Sequence, residues 1–309
     1  MISQFTHAIS RRLLAPLTAQ MEIQRVLAGQ TRIHQLRDLS PRNLRAAEAR
    51  IFSQGGEDGI IQKLIQHLPG IPPSFVEFGV QDYWESNTRF LLLNDYWRGL
   101  VLDGSAACVA AIRAQETCWR HGLEARETFV TREDIGAILR DSGFGGELGL
   151  LSIDIDGNDY WVWEAIEQRP WIVIVEYNSL FGSRGRFSVR YDRAFERTRA
   201  HHSNLYFGAS LAALCTLAEH KGYVFVGANT LGANAFFVRR DVAAPFRALT
   251  VEEGFVATPS RQSRDAEGRL TFLDFEAGRR AIAHLPVHDF VEGRERPFGE
   301  AEGLNGPAT

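Results

Sequence analysis

Cysteine is scarce: Cys108, Cys118 and Cys215 are the only three in 309 residues. They stand at no metal-ligand spacing, and so few thiols point to a reducing compartment with no disulfide framework. No stretch approaches the roughly 18 apolar residues that a membrane-spanning helix needs. An unbroken apolar signal segment is missing too, because Arg11-Arg12 split the N-terminal run. These absences give the expectation of a cytoplasmic protein with no integral membrane segment. Nor is there an excess of positive charge. Lys and Arg number 34 against 38 Asp and Glu, net −4, which argues against a general nucleic-acid binder.

What is present is a 45% hydrophobic composition, enough for one large α/β domain with appendages. The charge is uneven: residues 1–50 carry eight Arg against three acids, net +5, which leaves −9 for residues 51–309. Such a basic segment docks on a partner, on an anionic membrane surface, or on the protein's own acidic body, the last being favoured. Residues 8–35 read as helical, with Leu13, Leu17 and Met21 four residues apart and Ile23 and Leu27 beside them. That face packs on the protein's own domain or offers a homodimer contact. Ser40-Pro41 breaks the helix, and Ser53-Gln-Gly-Gly-Glu-Asp58 leads into a further helix, with Ser53 and Asp58 both capping types.

From Ser74 onward, strand and helix patterns alternate. The expected strands are 74–80, 99–103, 127–130, 149–156 and 171–178, with helices at 86–96, 106–115, 133–142 and 160–167. Crossovers of that length make the sheet parallel. Residues 179–207 are rich in Arg, Ser, Tyr and His and long for a connection, so they are expected to be a lid or binding insertion. A helix at 208–221 and two strands, 223–229 and 233–239, joined by a short turn with Gly232, close the sheet as a hairpin. The fold class is therefore a Rossmann-like doubly wound sheet: five parallel strands plus a closing antiparallel hairpin. The chain divides into a helical extension at 1–50, the main domain at 51–240 and a C-terminal extension at 241–309. The last stretch, from Gly299, is expected to be disordered.

In a doubly wound sheet, ligands sit beyond the carboxyl ends of the strands. Five acids are expected at that rim: Glu77, Asp103, Asp154, Asp156 and Glu176, with Asp82 and Asn178 beside them. Glu77 lies in an apolar run and needs partners, either amides of its own turn or a donor on a cofactor. Gly79, followed by a helix starting at Ser86-Asn87-Thr88, makes a turn that lets a cofactor approach the backbone. Asp103 ends the second strand, where one carboxylate can span the cis-diol of a ribose. Asp154 and Asp156 point to one face of an extended strand, and two such charges either shift each other's pKa or take up a cation. Asp156 could equally cap the next helix. In the insertion, His201 and His202 are candidate general bases.

Four segments carry a resemblance: Ser53-Gln-Gly-Gly-Glu-Asp58; Val76-Glu-Phe-Gly79 with Ser86-Asn-Thr88; Gly99-Leu-Val-Leu-Asp103; and Leu151-Ser-Ile-Asp-Ile-Asp-Gly157. Over residues 51–240 the chain resembles the FkbM-type class I S-adenosylmethionine-dependent methyltransferases. The resemblance implies that Glu77 and Gly79, with Asp82 and Asn87 beside them, hold the methionine end of the cofactor and that Asp103 holds the ribose. Asp154 serves the cofactor's amino group or a metal. Gln81 departs from the family, whose turn has a second small residue there. The implied reaction is O-methylation of a sugar or natural-product hydroxyl, on a small-molecule or glycan acceptor, with Asp156 or His202 as base. Catechol-type methyltransferases suggest a second route, in which Asp154, Asp156, Glu176 and Asn178 bind Mg²⁺. Two rival readings remain: a metal-dependent sugar-nucleotide enzyme, with Arg184, Arg186 and Arg190 near a diphosphate, and a non-catalytic scaffold docking through its basic arm.

Overall fold

The computed structural model describes residues 2–304, with side chains from Leu17 onward. Five parallel strands come first: β1 (Ser74–Phe78), β2 (Arg98–Asp103), β3 (Leu123–Glu127), β4 (Leu150–Ile153) and β5 (Ile172–Glu176). A short strand, β6 (Phe187–Val189), lies in the insertion, and β7 (Tyr223–Ala228) and β8 (Asn234–Arg239) form the hairpin. Two more, β9 (Pro286–Asp289) and β10 (Arg294–Pro297), follow near the C-terminus. The main sheet has the order β3-β2-β1-β4-β5-β8-β7. This is the Rossmann-like doubly wound arrangement, with its switch point between β1 and β4.

The inner strands are runs such as Ile172-Val-Ile-Val175, in which every residue is buried, as both-face burial requires. Val76, Leu100, Leu151 and Val173 feed the core on one face, and Phe75, Val101, Leu150 and Ile174 the core on the other. Crossover and capping helices cover those faces: α2 (Glu57–Gln66), α3 (Arg89–Asn94), α4 (Ala106–Arg113), α5 (Glu116–Arg120), α6 (Ile135–Asp141) and α7 (Asp159–Ala165). After them come α8 (Arg197–Ala200), α9 (Leu211–His220), α10 (Val251–Gly254), α11 (Phe275–Ile282) and α12 (Phe298–Ala301).

The third strand lies at 123–127, not at 127–130. Its alternating Leu123 and Ala125 turn inward while the charged residues between them stay wetter, as on a sheet edge. The more apolar Thr128-Phe-Val130 is freed to line the rim.

The insertion and the C-terminal segment build a second, antiparallel sheet, β10-β9-β6. Phe298, fully buried, packs at 5.2 Å from Phe181 and 6.0 Å from Phe187 (ring centroids). Disorder was expected from Gly299, but α12 carries that stretch through Ala301. Residues 305–309 lie outside the described residues.

At the other end, α1 (Ile2–Leu36) is tied to the body. Glu22 pairs with the fully buried Arg89, and Arg25 Nε donates to the Ile51 carbonyl at 3.0 Å. Arg45 Nε likewise reaches the Ala228 carbonyl, at 3.1 Å. The basic segment therefore meets backbone oxygens of its own domain more than acidic side chains. Leu17, Met21, Ile23 and Leu27 stay more than half exposed; the Leu13 side chain, part of the same expected face, lies outside the described residues. Among the described residues, no helix is long and apolar enough to cross a membrane.

Candidate active site

The turn after β1 organises the rim. Gly79 has φ +73°, and a Cβ on it would fall 1.6 Å from the Asp154 carbonyl oxygen, so glycine is required there. Gln81 follows with φ 49°, an uncommon region for a side-chain-bearing residue. Its amide is held at 2.7 Å by one oxygen of Asp103, whose other oxygen accepts from the Ser105 amide at 2.8 Å. Asp103 thereby clamps the β1 turn to the start of α4 and leaves lone pairs facing a cavity of about 180 Å³. Gly79, Asp103, Phe129, Asp154 and Asp156 line that cavity, with Phe195 reaching in from the insertion.

Glu77, Asn87 and Asp82 do not join them. Glu77 is buried, and its carboxylate accepts from the Asn87 amide at 2.8 Å, the Thr88 amide at 3.1 Å and the Thr88 hydroxyl. Burial pushes its pKa up to about 7, against the pull of those hydrogen bonds. Glu77 therefore shapes the entry to α3, bonding amides of its own turn. The Asn87 side chain donates to Ser152 Oγ at 3.0 Å, linking β1 to β4. Asp82 is exposed, with its carboxylate on the Trp84 amide. None of the three lines the smaller cavity: Glu77 and Asn87 brace the turn through their hydrogen bonds, and Asp82 bonds within its own loop.

Asp154, Asp156 and Glu176 do come together, each offering an oxygen within 4.8 Å of the others. Burial, then the charges of Asp156 and Asp159, pushes Asp154 up to about 8. Burial, then Asp154 and Asp156, drives Glu176 well above the usual carboxylate range. One Glu176 oxygen is buried without a hydrogen-bond partner. Asp156 adopts φ 56° and pairs with Arg197 of the insertion. It does not cap α7. Asp159 ties that loop instead, accepting from the Ile155 amide at 2.8 Å and the Gly157 amide at 2.9 Å. Burial raises Asp159 to about 6.

Beyond the trio opens a second, larger cavity of about 570 Å³. Glu176 and Arg197 line it, with Phe207, Arg50, Gln54 and Arg261. Arg50 and Gln54 are placed there by the Ser53–Asp58 loop, whose acids do structural work. Asp58 gathers the amides of Ile51, Phe52 and Ser53 on one oxygen. Glu57 bonds Asn229 and Asn234 of the closing hairpin, at 2.6 and 2.9 Å. The trio thus stands between two cavities, Asp154 and Asp156 facing one and Glu176 the other.

Of two further expected site residues, His202 falls outside both cavities, and Asn178 lines the larger one with its side chain already engaged. His202 is exposed and lines neither cavity; its ring sits 4.1 Å from that of His201. The Asn178 amide is spent on the insertion: its nitrogen donates to the Leu205 and Phe207 carbonyls, and its oxygen accepts from the Leu180 amide. The expected four-ligand Mg²⁺ set is therefore not assembled, and a guanidinium already lies on one of the remaining three acids. Sequence reading missed Phe195, Arg197 and Asp159. The insertion's arginines were noticed, but Arg184, Arg186 and Arg190 were singled out. None of these lines either cavity, and Arg190 pairs with Glu295.

No family model matches the sequence, and no curated protein matches it. Solved structures are similar in fold. The N-terminal domain of EvdMO1 with SAH bound shares 13% identity at a TM-score of 0.40, over 59% of this chain and 79% of that one. An S-adenosylmethionine-dependent methyltransferase from Clostridium acetobutylicum shares 9% at 0.37, over 59% and 90%. An O-methyltransferase family protein from Burkholderia thailandensis shares 11% at 0.34, over 60% and 57%. At these values the likeness goes no further than fold.

Proposed function

We propose that the chain transfers a methyl group from S-adenosylmethionine to a hydroxyl of a small-molecule or glycan acceptor. The observation that carries this reading is the position of the acid trio at the junction of two cavities. The smaller lies at the switch point, under the Gly79 turn and the Asp103 carboxylate, where a nucleoside is read by one acid on its diol. When bound there, the cofactor supplies an electrophilic methyl group. Asp103 holds the ribose, the chain of the cofactor runs past the Gly79 turn toward Asp154, and Phe129 and Phe195 wall the base side. Asp154, at the bottom of the same cavity, faces the cofactor's amino group.

The acceptor enters the larger cavity. Its polar and apolar walls, with Arg50, Gln54 and Arg261 beside Leu205, Phe207 and Phe275, suit a hydroxylated molecule carrying an apolar part. Asp156, on the cofactor side of the junction, takes the hydroxyl proton as the oxygen attacks. His202 is out of reach of that role. The sugar-nucleotide alternative is less well supported, because its three arginines lie away from both cavities. Calorimetry with S-adenosylhomocysteine, NAD and nucleotide sugars separates the readings. Saturable binding of S-adenosylhomocysteine alone is expected; binding of a nucleotide sugar without it would overturn the proposal.

A further inference from the structure

Three carboxylates within 4.8 Å need bound protons or positive charge. A divalent ion with oxygen ligands is one solution, but the chain carries another. Arg197 is the first residue of α8, on the insertion, and its guanidinium pairs with Asp156. Its Nε donates to the Asn204 carbonyl at 2.7 Å, and the guanidinium lies 3.7 Å from the centroid of the Phe207 ring. A carboxylate, a carbonyl and an aromatic face thus fix one planar cation, as guanidinium favours. Nη2 has no hydrogen-bond partner among the described residues, and Arg197 lines the larger cavity. The buried, unpartnered Glu176 oxygen lies beside the same cation's field.

We infer that Arg197 is the resident counter-ion of the Asp154–Asp156–Glu176 trio, standing where a divalent metal would otherwise bind. Two consequences follow. The trio is disfavoured as a Mg²⁺ site while Arg197 is in place, since the guanidinium takes one Asp156 oxygen and its charge repels the ion. And the positive charge is supplied by the insertion, the segment that also lines the larger cavity through Arg197, Leu205 and Phe207. Where the methyl-transfer reading is taken, Nη2 is the group that meets the acceptor oxygen as negative charge grows on it. The counter-ion role itself does not depend on that reading.

The test uses Mn²⁺ alone, followed by its solution EPR signal, with no cofactor or acceptor, so a failed methyl-transfer reading leaves it intact. Wild-type protein is expected to show no saturable binding at the trio. Arg197→Ala and the neutral but polar Arg197→Gln are expected to tighten Mn²⁺ binding by about tenfold or more, and Asp154→Asn in the same background to abolish the gain. Arg197→Lys, which keeps the charge, should remain closed to the ion. Thermal melts establish that each variant is folded. Saturable wild-type binding lost in Asp154→Asn overturns the inference. So does a folded neutral variant that gains no binding. Should neither neutral variant fold, the wild-type titration decides by itself, absence of binding supporting the inference.

Discussion

Gly79 and Asp154 meet backbone to backbone: a Cβ on Gly79 would lie 1.6 Å from the Asp154 carbonyl oxygen. This contact joins the carboxyl ends of β1 and β4 at the switch point and sets the floor of the smaller cavity. Gly79→Ala meets a clash with backbone, which cannot swing aside, on top of a positive φ. A loss of about 3 kcal/mol or more in unfolding free energy is expected, read from denaturant midpoints. A change under about 0.5 kcal/mol would mean that the two strands are not held at this distance.

Asp103 offers a sharper reading of the cofactor. Its oxygens already hold the Gln81 and Ser105 amides, yet both keep lone pairs toward the cavity. Asp103→Ala should forfeit two charge-assisted hydrogen bonds to a ribose, on the order of 2–4 kcal/mol, or about 30- to 700-fold in S-adenosylhomocysteine affinity. Asp103→Asn preserves the shape but keeps only one acceptor oxygen, so one of the Gln81 and Ser105 bonds is lost as well; melting temperatures of both variants report the damage to the turn. Unchanged affinity in both variants removes Asp103 from the site.

The parallel strands, the hairpin and the rim position of Asp103, Asp154, Asp156 and Glu176 were legible because each follows from local signals: buried β-branched runs and acids at their ends. Glu77 was legible as an anomaly but not as a choice, since nothing in Phe75-Val-Glu-Phe78 says whether its partners are the Asn87 and Thr88 amides or a ligand. The edge strand was misplaced because Leu123-Glu-Ala-Arg-Glu127 has little apolar character, and its pairing is decided by β2. Arg197 and Phe195 could not have been found. They reach the site through a fold-back that pairs β6 with β9, about a hundred residues later, and no local pattern encodes that contact. The same distance hid the order of residues 286–301, which have no buried face until Phe181 and Phe187 meet Phe298.

The insertion was expected to act on the acceptor alone. The position of Phe195 changes that expectation. Its ring lies where a Cβ on Gly157 would be, 2.2 Å from the nearest ring carbon, and it walls the smaller cavity. Phe195→Ala should therefore weaken S-adenosylhomocysteine by about two- to tenfold, the range for loss of one aromatic contact, with little change in melting temperature. Affinity equal to wild type would return the insertion to a purely acceptor-side role.

The last prediction concerns pH. Asp154 is pushed up to about 8 by burial and by the charges of Asp156 and Asp159, whereas in an unfolded chain it titrates near 4. Between those values the folded state binds the extra proton, so stability contributed by this group falls as pH rises. It is fully present below about pH 4 and is lost as pH climbs through about 8. Glu176 is shifted in the same direction and adds to the slope, while Arg197 opposes both. Asp154→Asn removes the titration and keeps the shape. Its stability relative to wild type should therefore improve from pH 5.5 to pH 8.5 by on the order of 1–3 kcal/mol, each pKa unit being worth about 1.4 kcal/mol. Because Asp154 is not fully enclosed, the lower part of that range is the firmer expectation. Melting curves of both proteins across this range make the comparison. Parallel curves would show that Asp154 ionises normally in the folded protein, and that Arg197 alone relieves the crowding.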